Sequence, residues 1–229
     1  MAGETGRRAY RSGRREEQAR HTRRRVLTAA AAVFVEQGWG GATVRAVATR
    51  AGVSVPTVEA LFGTKARLLK AVIDVAIAGD DEPVAVLDRP WAAAARQAGS
   101  APEFLAAVGA VLAAAQQRSA GLVLAVFEGA GRDRELAALA EQMTSQRAVT
   151  AGWIVDELRR LAPLRPGCGR DEAVDTVWVL MDPAVFDRLL RRPGWAAERY
   201  GRWFAESARR LLTPDPPTGG TPGNEGDPI

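Results

Sequence analysis

The stretch ATVRAVATRAGVSVPTVEALFGTK, residues 42–65, decides the fold, because its punctuation places two short helices around a tight turn. Thr43 precedes an apolar-periodic run, where a hydroxyl caps the free N–H groups of a helix over about 44–50. Ala51-Gly52-Val53 makes the turn, and glycine there can take the positive φ that other residues resist. Ser54 caps a second helix with Pro56 in its first turn, where a missing N–H costs little, and Phe62-Gly63-Thr64 ends it. Two such helices joined by a glycine-containing turn have the spacing of a helix-turn-helix. Val44, Val47, Ala48, Val53, Val58, Leu61 and Phe62 are its natural small core. One feature is unusual for a helix that reads DNA: VSVPTVEALF, residues 53–62, has no Arg or Lys and carries Glu59.

Outward from this motif, residues 22–37 read as a helix with Val26, Ala29, Ala30, Val33 and Phe34 on one face, ended by Gly38. Thr64 caps a further helix to about residue 78. Residues 1–20 offer almost nothing apolar to bury and are expected to form a flexible, disordered basic arm; the Pro/Gly-rich tail, 214–229, is expected to be disordered too. Between them apolar residues recur at three and four spacing and no alternating β-branched run persists, so the fold class is all-α. Helices are expected at about 102–117, 120–131, 133–161, 170–180, 183–191 and 196–212, with 84–91 irregular. The organisation that follows is an arm (1–20), a helix-turn-helix head (21–70), a larger helical body (71–213) and a tail.

Among 229 residues, 47% are apolar, ample for packed cores. Residues 1–70 hold 14 Arg/Lys against 5 Asp/Glu, whereas the rest holds 17 against 22. A basic head on a mildly acidic body suits a polyanion partner for the head alone, although an acidic membrane surface satisfies the same arithmetic. No uncharged apolar run is long enough to span a bilayer and no signal-like stretch opens the chain, so cytoplasm is the default and no membrane partner is expected. One cysteine, Cys168, excludes an internal disulfide, and one histidine, His21, leaves no metal cage and no base for a thiol nucleophile. No metal and no cofactor is expected.

Residues 24–73 resemble the N-terminal DNA-binding domain of TetR-type (TetR/AcrR) transcriptional regulators. The features that carry it are Phe34 and Gly38 in the first helix, the Thr43-Val44-Arg45 start of the second, Ala51-Gly52-Val53-Ser54 at the turn, and Phe62-Gly63-Thr64-Lys65 with Leu68-Leu69 beyond. The end of the chain, GWAAERYGRWFAESARRLL, resembles the last dimerisation helix of one subgroup. The resemblance implies a homodimer that binds a palindromic double-stranded DNA operator and is released by a small-molecule effector, with repression as the default. It departs from the family where members commonly have a basic residue (here Val55), a small one (Pro56), a phosphate-bonding Tyr (Glu59) and a His or Asn (near Leu61).

The DNA-binding set expected from the resemblance and the residues is Arg23, Arg24, Thr43, Arg45, Ser54, Val55, Pro56, Thr57, Glu59, Ala60 and Lys65. Helix N-termini with capping hydroxyls suit phosphate oxygens, which covers Thr43 and Ser54. Lys65 in a helix first turn opposes the helix dipole, and a phosphate would explain it; an ordinary solvated lysine is the alternative. Val55, Pro56, Ala60 and the Thr57 methyl suit thymine methyls. Glu59 either pairs with Arg45 or Lys65, the preferred reading, or accepts from the amino group of cytosine. Phosphate attraction is then delegated to arginines such as Arg14, Arg15, Arg20, Arg23, Arg24 and Arg25.

In the body, Phe104, Val108, Leu112, Phe127, Gln142, Gln146, Val149, Trp153 and Trp178 are the candidate lining of a mostly apolar effector pocket, against the alternative of plain core. Phe186, Tyr200, Trp203, Phe204, Ala208 and Leu211 are the candidate dimer interface, against the alternative of intrachain packing. An enzyme is not expected: the acidic clusters at 80–82 and 171–175 sit at helix ends, and no nucleophile and base, phosphate loop or metal spacing accompanies them. The remaining alternative is a TetR-like signal-binding protein with a degenerate head that binds DNA non-specifically or contacts another protein.

Overall fold

The computed structural model describes residues 3–191 and 194–214, with side chains from residue 17 onward. Among them there are ten α-helices and no strand: α1 (Gly3–Gly41), α2 (Val44–Ala51), α3 (Val55–Phe62), α4 (Lys65–Ala78), α5 (Pro90–Arg96), α6 (Ala101–Ala130), α7 (Arg134–Leu161), α8 (Arg170–Leu180), α9 (Pro183–Arg191) and α10 (Ala197–Leu212). A 3-10 turn, Val86–Asp88, leads into α5.

Three differences from the sequence reading have local causes. The segment expected to be a disordered arm has helical backbone from Gly3, continuous with α1; its Arg, Glu, Gln and Ala residues are good helix formers that extend an existing nucleus at little cost. The two helices expected at 102–117 and 120–131 are one, α6: the Ser119 hydroxyl donates to the Ala115 carbonyl and is absorbed into the helix interior rather than breaking it. The end of the connection expected to be irregular starts a helix, α5, opened by Pro90 at its first turn and carried by four alanines beyond it. The expected tail lies outside the described residues from 215 on.

Two main cores organise the molecule. Val26, Ala30, Val33 and Phe34 of α1 pack with Val47 and Ala48 of α2, Val58 and Phe62 of α3, and Leu68, Val72 and Ile73 of α4. That core continues into the body through Leu122, Val123 and Val126 of α6 and Leu136, Leu139 and Met143 of α7. The second core gathers Phe104, Leu105 and Val108 of α6, Ile154, Val155 and Leu158 of α7, Val177 and Leu180 of α8, and Phe204, Ala208 and Leu212 of α10. α6 is long and apolar enough to cross a membrane. Here it is the central helix, with twelve buried residues among α4, α7, α9 and α10. α6 and α10 approach closely where Gly109 meets Gly201, since a Cβ on either would strike the other's carbonyl oxygen.

Candidate nucleic-acid interface

The head is fixed by its caps. The Thr43 hydroxyl accepts from Ala46 N (3.0 Å), Ser54 Oγ from Thr57 N (3.3 Å) and Thr64 Oγ1 from Arg67 N (3.3 Å). Gly52 closes α2 in the left-handed region (φ 63°), where any Cβ would be strained and would also meet the Arg25 guanidinium. All three capping residues are exposed, so each helix start faces solvent. The starts of α2 and α4 are neighbours: Lys65 Nζ, one residue into α4, donates to the carbonyl of Ala42, one residue before the α2 cap, at 3.0 Å.

On α3, Val58 and Phe62 face the core, and Val55 and Leu61 are half-buried against it. Ser54, Pro56, Glu59 and Ala60 are exposed and Thr57 is partly so, its hydroxyl 2.8 Å from that of Ser54. The expected reading residues therefore share one open face, with Val55 also serving the core. Glu59 has no ion-pair partner among the described residues, which corrects the expected pairing with Arg45 or Lys65. The cause is non-local. Lys65 is held by the carbonyls of Trp39 (2.8 Å) and Ala42 and lies 4.0 Å over the Trp39 ring, while Arg45 stays in solvent. The misplaced charge of Lys65 is thus explained first by the end of α1, whose last carbonyls it satisfies.

The arginines of α1 divide. Arg23 turns away from the reading face, lying 4.7 Å over the Phe62 ring and pairing with Asp81 at 3.1 Å. Arg25 donates to the Ala51 carbonyl at the turn. Arg24 is exposed and lines a concave basic surface of about 640 Å³ with His21, Arg25, Thr28 and Arg50, between α1 and α2. Arg50 is paired with Glu36, whose carboxyl is held below its ordinary range by that hydrogen bond. Arg20 is exposed; Arg14 and Arg15 lie outside the described side chains.

Sequence reasoning missed Trp39. Gly38 takes φ 64° and ψ −179°, interrupting α1, and the chain delivers the Trp39 indole toward the body, where its Nε1–H donates to Asp133 Oδ2 at 2.9 Å. The signal was GWGG after a helix whose apolar face was already complete.

The body residues are dispersed. Phe104 and Val108 are buried, Leu112, Trp153 and Trp178 half-buried, and Gln142 and Gln146 exposed, as are Phe127 (37%) and Val149 (66%). Trp153 stands edge-on to Trp91 (5.5 Å) beside Phe104 (5.9 Å), and its Nε1 is buried without a hydrogen-bond partner. Trp178 lies under Arg147, which pairs with Asp182 at 2.8 Å. A groove of about 470 Å³ runs elsewhere, between α6 and α10, over Ala106, Ala110, Ala114, Gly201 and Ala205; none of the expected lining residues faces it. Of the expected interface, Phe186, Tyr200, Phe204 and Ala208 are buried within the single chain, and the Tyr200 hydroxyl donates to the Leu180 carbonyl at 2.9 Å. Those four are corrected to intrachain core, because α6, α8 and α9 already cover the three on α10, and α6 and Tyr200 cover Phe186. Trp203 stays half-buried and Leu211 is 46% exposed.

Residues 26–72 match the family model of the bacterial regulatory proteins of the tetR family. The head is a TetR-family domain. Beyond the head, the chain shares its fold with solved regulators. FadR from Bacillus subtilis in complex with stearoyl-CoA gives a TM-score of 0.61 at 17% identity, over 82% of this chain and 97% of that one. SmeT in complex with triclosan gives 0.61 at 18% identity, over 91% and 99%. NalD of Pseudomonas aeruginosa, the secondary repressor of the MexAB-OprM multidrug efflux pump, gives 0.59 at 19%, over 86% and 99%. At these identities the likeness shows the fold. A comparison with curated proteins gives no match.

Proposed function

We propose that this TetR-type chain is a homodimeric transcriptional repressor that binds a palindromic operator through α3 and is released by a small, mostly apolar effector. The observation that carries it is the open face of α3 beside exposed helix starts, with a Glu59 carboxylate that nothing in the described chain neutralises. In this reading Thr43 and Ser54 hold phosphates, as helix N-termini do, and Arg24 and Arg45 add charge. Pro56, Ala60 and the Thr57 methyl meet thymine methyls, and Glu59 accepts from cytosine. Lys65 and Arg23 position the head rather than reaching outward.

The effector reading is supported by the aromatic cluster of Trp153, Phe104 and Trp91, where the orphaned Trp153 N–H offers a donor to a ligand that opens the core. FadR and SmeT were solved with stearoyl-CoA and triclosan, both with large apolar parts. For the dimer, the outward side of α9 and α10 retains Trp203, Leu211, Leu189 and Leu190. A binding selection on random duplex DNA near physiological salt tests the function. One palindromic motif supports a specific regulator. Binding that scales with DNA length and ignores sequence contradicts it, and supports a head that has lost specific reading.

A further inference from the structure

One side chain joins the three segments that set the pose of the head. The Trp39 ring stacks on Phe34 of α1 (6.2 Å, 11°), lies beneath the Lys65 ammonium of α4, and donates its N–H to Asp133. Asp133 belongs to the body: its other oxygen accepts from Glu135 N (2.9 Å) and Leu136 N (3.1 Å), capping α7. A single carboxylate therefore caps a body helix with one oxygen and grips a head residue with the other. Lys65 completes the set by donating to the carbonyls of Trp39 and Ala42, next to Thr43. The Asp133 carboxyl is held below its ordinary range, first by the indole hydrogen bond and then by the amide of Leu136, so the group is charged when it makes these contacts.

We propose that Trp39, Lys65 and Asp133 are positioning residues for DNA binding, transmitting the placement of the α7 start to the adjoining starts of α2 and α4. The inference rests on the head being a DNA-binding unit, but the contact itself is independent of that reading. If α7 shifts, the carboxylate leaves the indole or draws it along. The indole carries Lys65 and the residue 42–43 junction with it, because the ammonium is fixed to both. Phosphate contacts at Thr43 then depend on a residue 90 positions away in sequence.

Asp133→Ser separates the two duties of the carboxylate, since serine still caps a helix but is too short to hold the indole. Asp133→Asn keeps both the cap and an acceptor. Trp39→Phe keeps the ring and loses the N–H. In full-length protein, Asp133→Ser and Trp39→Phe should each change affinity for the selected duplex by roughly five-fold or more, the lower range of coupling between sites. The double variant should be no further from wild type than the stronger single one, and Asp133→Asn should stay close to wild type. Hydrogen exchange without DNA gives a second readout: amides of residues 42–46 and 64–68 should exchange faster in Asp133→Ser and in Trp39→Phe, but not in Asp133→Asn. Unchanged exchange in both, or fully additive effects on affinity, overturns the proposal. Faster exchange in a chain with no sequence-specific binding keeps the contact and rejects the regulator reading instead. Should Asp133→Ser fail to fold, Trp39→Phe, which touches no cap, decides the matter by the same exchange readout.

Discussion

The starts of the head helices and the α8–α9 junction of the body are completed in opposite ways. In the head, α2, α3 and α4 begin with Thr43, Ser54 and Thr64, each capped by its own hydroxyl and each open to solvent. In the body, the junction of α8 and α9 is sealed from inside. Tyr200 donates to the Leu180 carbonyl, the buried Gln116 amide to Met181 (2.7 Å), and Asp182 caps Ala184 while pairing with Arg147. Arg118 closes the end of α4 through the carbonyls of Ala76 and Ile77. Buried polar groups must be satisfied within the chain, whereas exposed N–H groups can wait for a partner. The difference predicts that substitutions at the body's α8–α9 junction act on stability alone, and that, in the proposed DNA-binding role, those at the head's starts act on binding as well.

The sharpest break in this division would come from α10. Phe204→Ala removes a fully buried ring from the second core and should cost about 3–5 kcal/mol in denaturant unfolding, leaving the mass of the folded species unchanged. A small stability loss with a change in assembly would instead return Phe204 to the interface. Tyr200→Phe leaves the Leu180 carbonyl without its donor and should cost about 1–3 kcal/mol, with DNA affinity of the folded protein unaltered. Thr43→Ala should cost about 1 kcal/mol of stability and, unlike Tyr200→Phe, also weaken operator binding, read by anisotropy titration. The smallest effect concerns pH. The Glu206 carboxyl is lowered from 4.5 to about 2, chiefly by the Arg209 hydrogen bond and then by that of Arg210. A depressed pKa gives stability that is present above the unfolded value and lost as pH falls through the folded one. The gap between wild type and Glu206→Gln should therefore be constant near neutrality and close as pH drops from 4.5 towards 2.

What was legible in the sequence was local. Thr43, Ser54 and Thr64 announce their helices because a cap acts within three residues, and Gly52 marks the turn because few other residues take its φ. The continuity of α6 was hidden because Arg118 and Ser119 separate two apolar runs, and nothing local shows that the Ala115 carbonyl takes the Ser119 hydroxyl. The α10 stripe was legible as a buried face, but periodicity cannot say whether the same chain or a second copy covers it. Here α6, α8 and α9 do so for Tyr200, Phe204 and Ala208. The partner of Lys65 was illegible for a similar reason: the carbonyls it binds are offered only because Gly38 bends the chain 27 positions earlier.

Glu59 gives the most direct measurement. Parallel binding selections with wild type and Glu59→Ala, at the same near-physiological salt, should both return a palindromic motif. The two motifs should differ at one base pair per half-site, where the wild type prefers cytosine on one strand. Identical motifs, or no motif from either protein, would contradict the account in which the open face of α3, without Arg or Lys and with Glu59, reads the sequence.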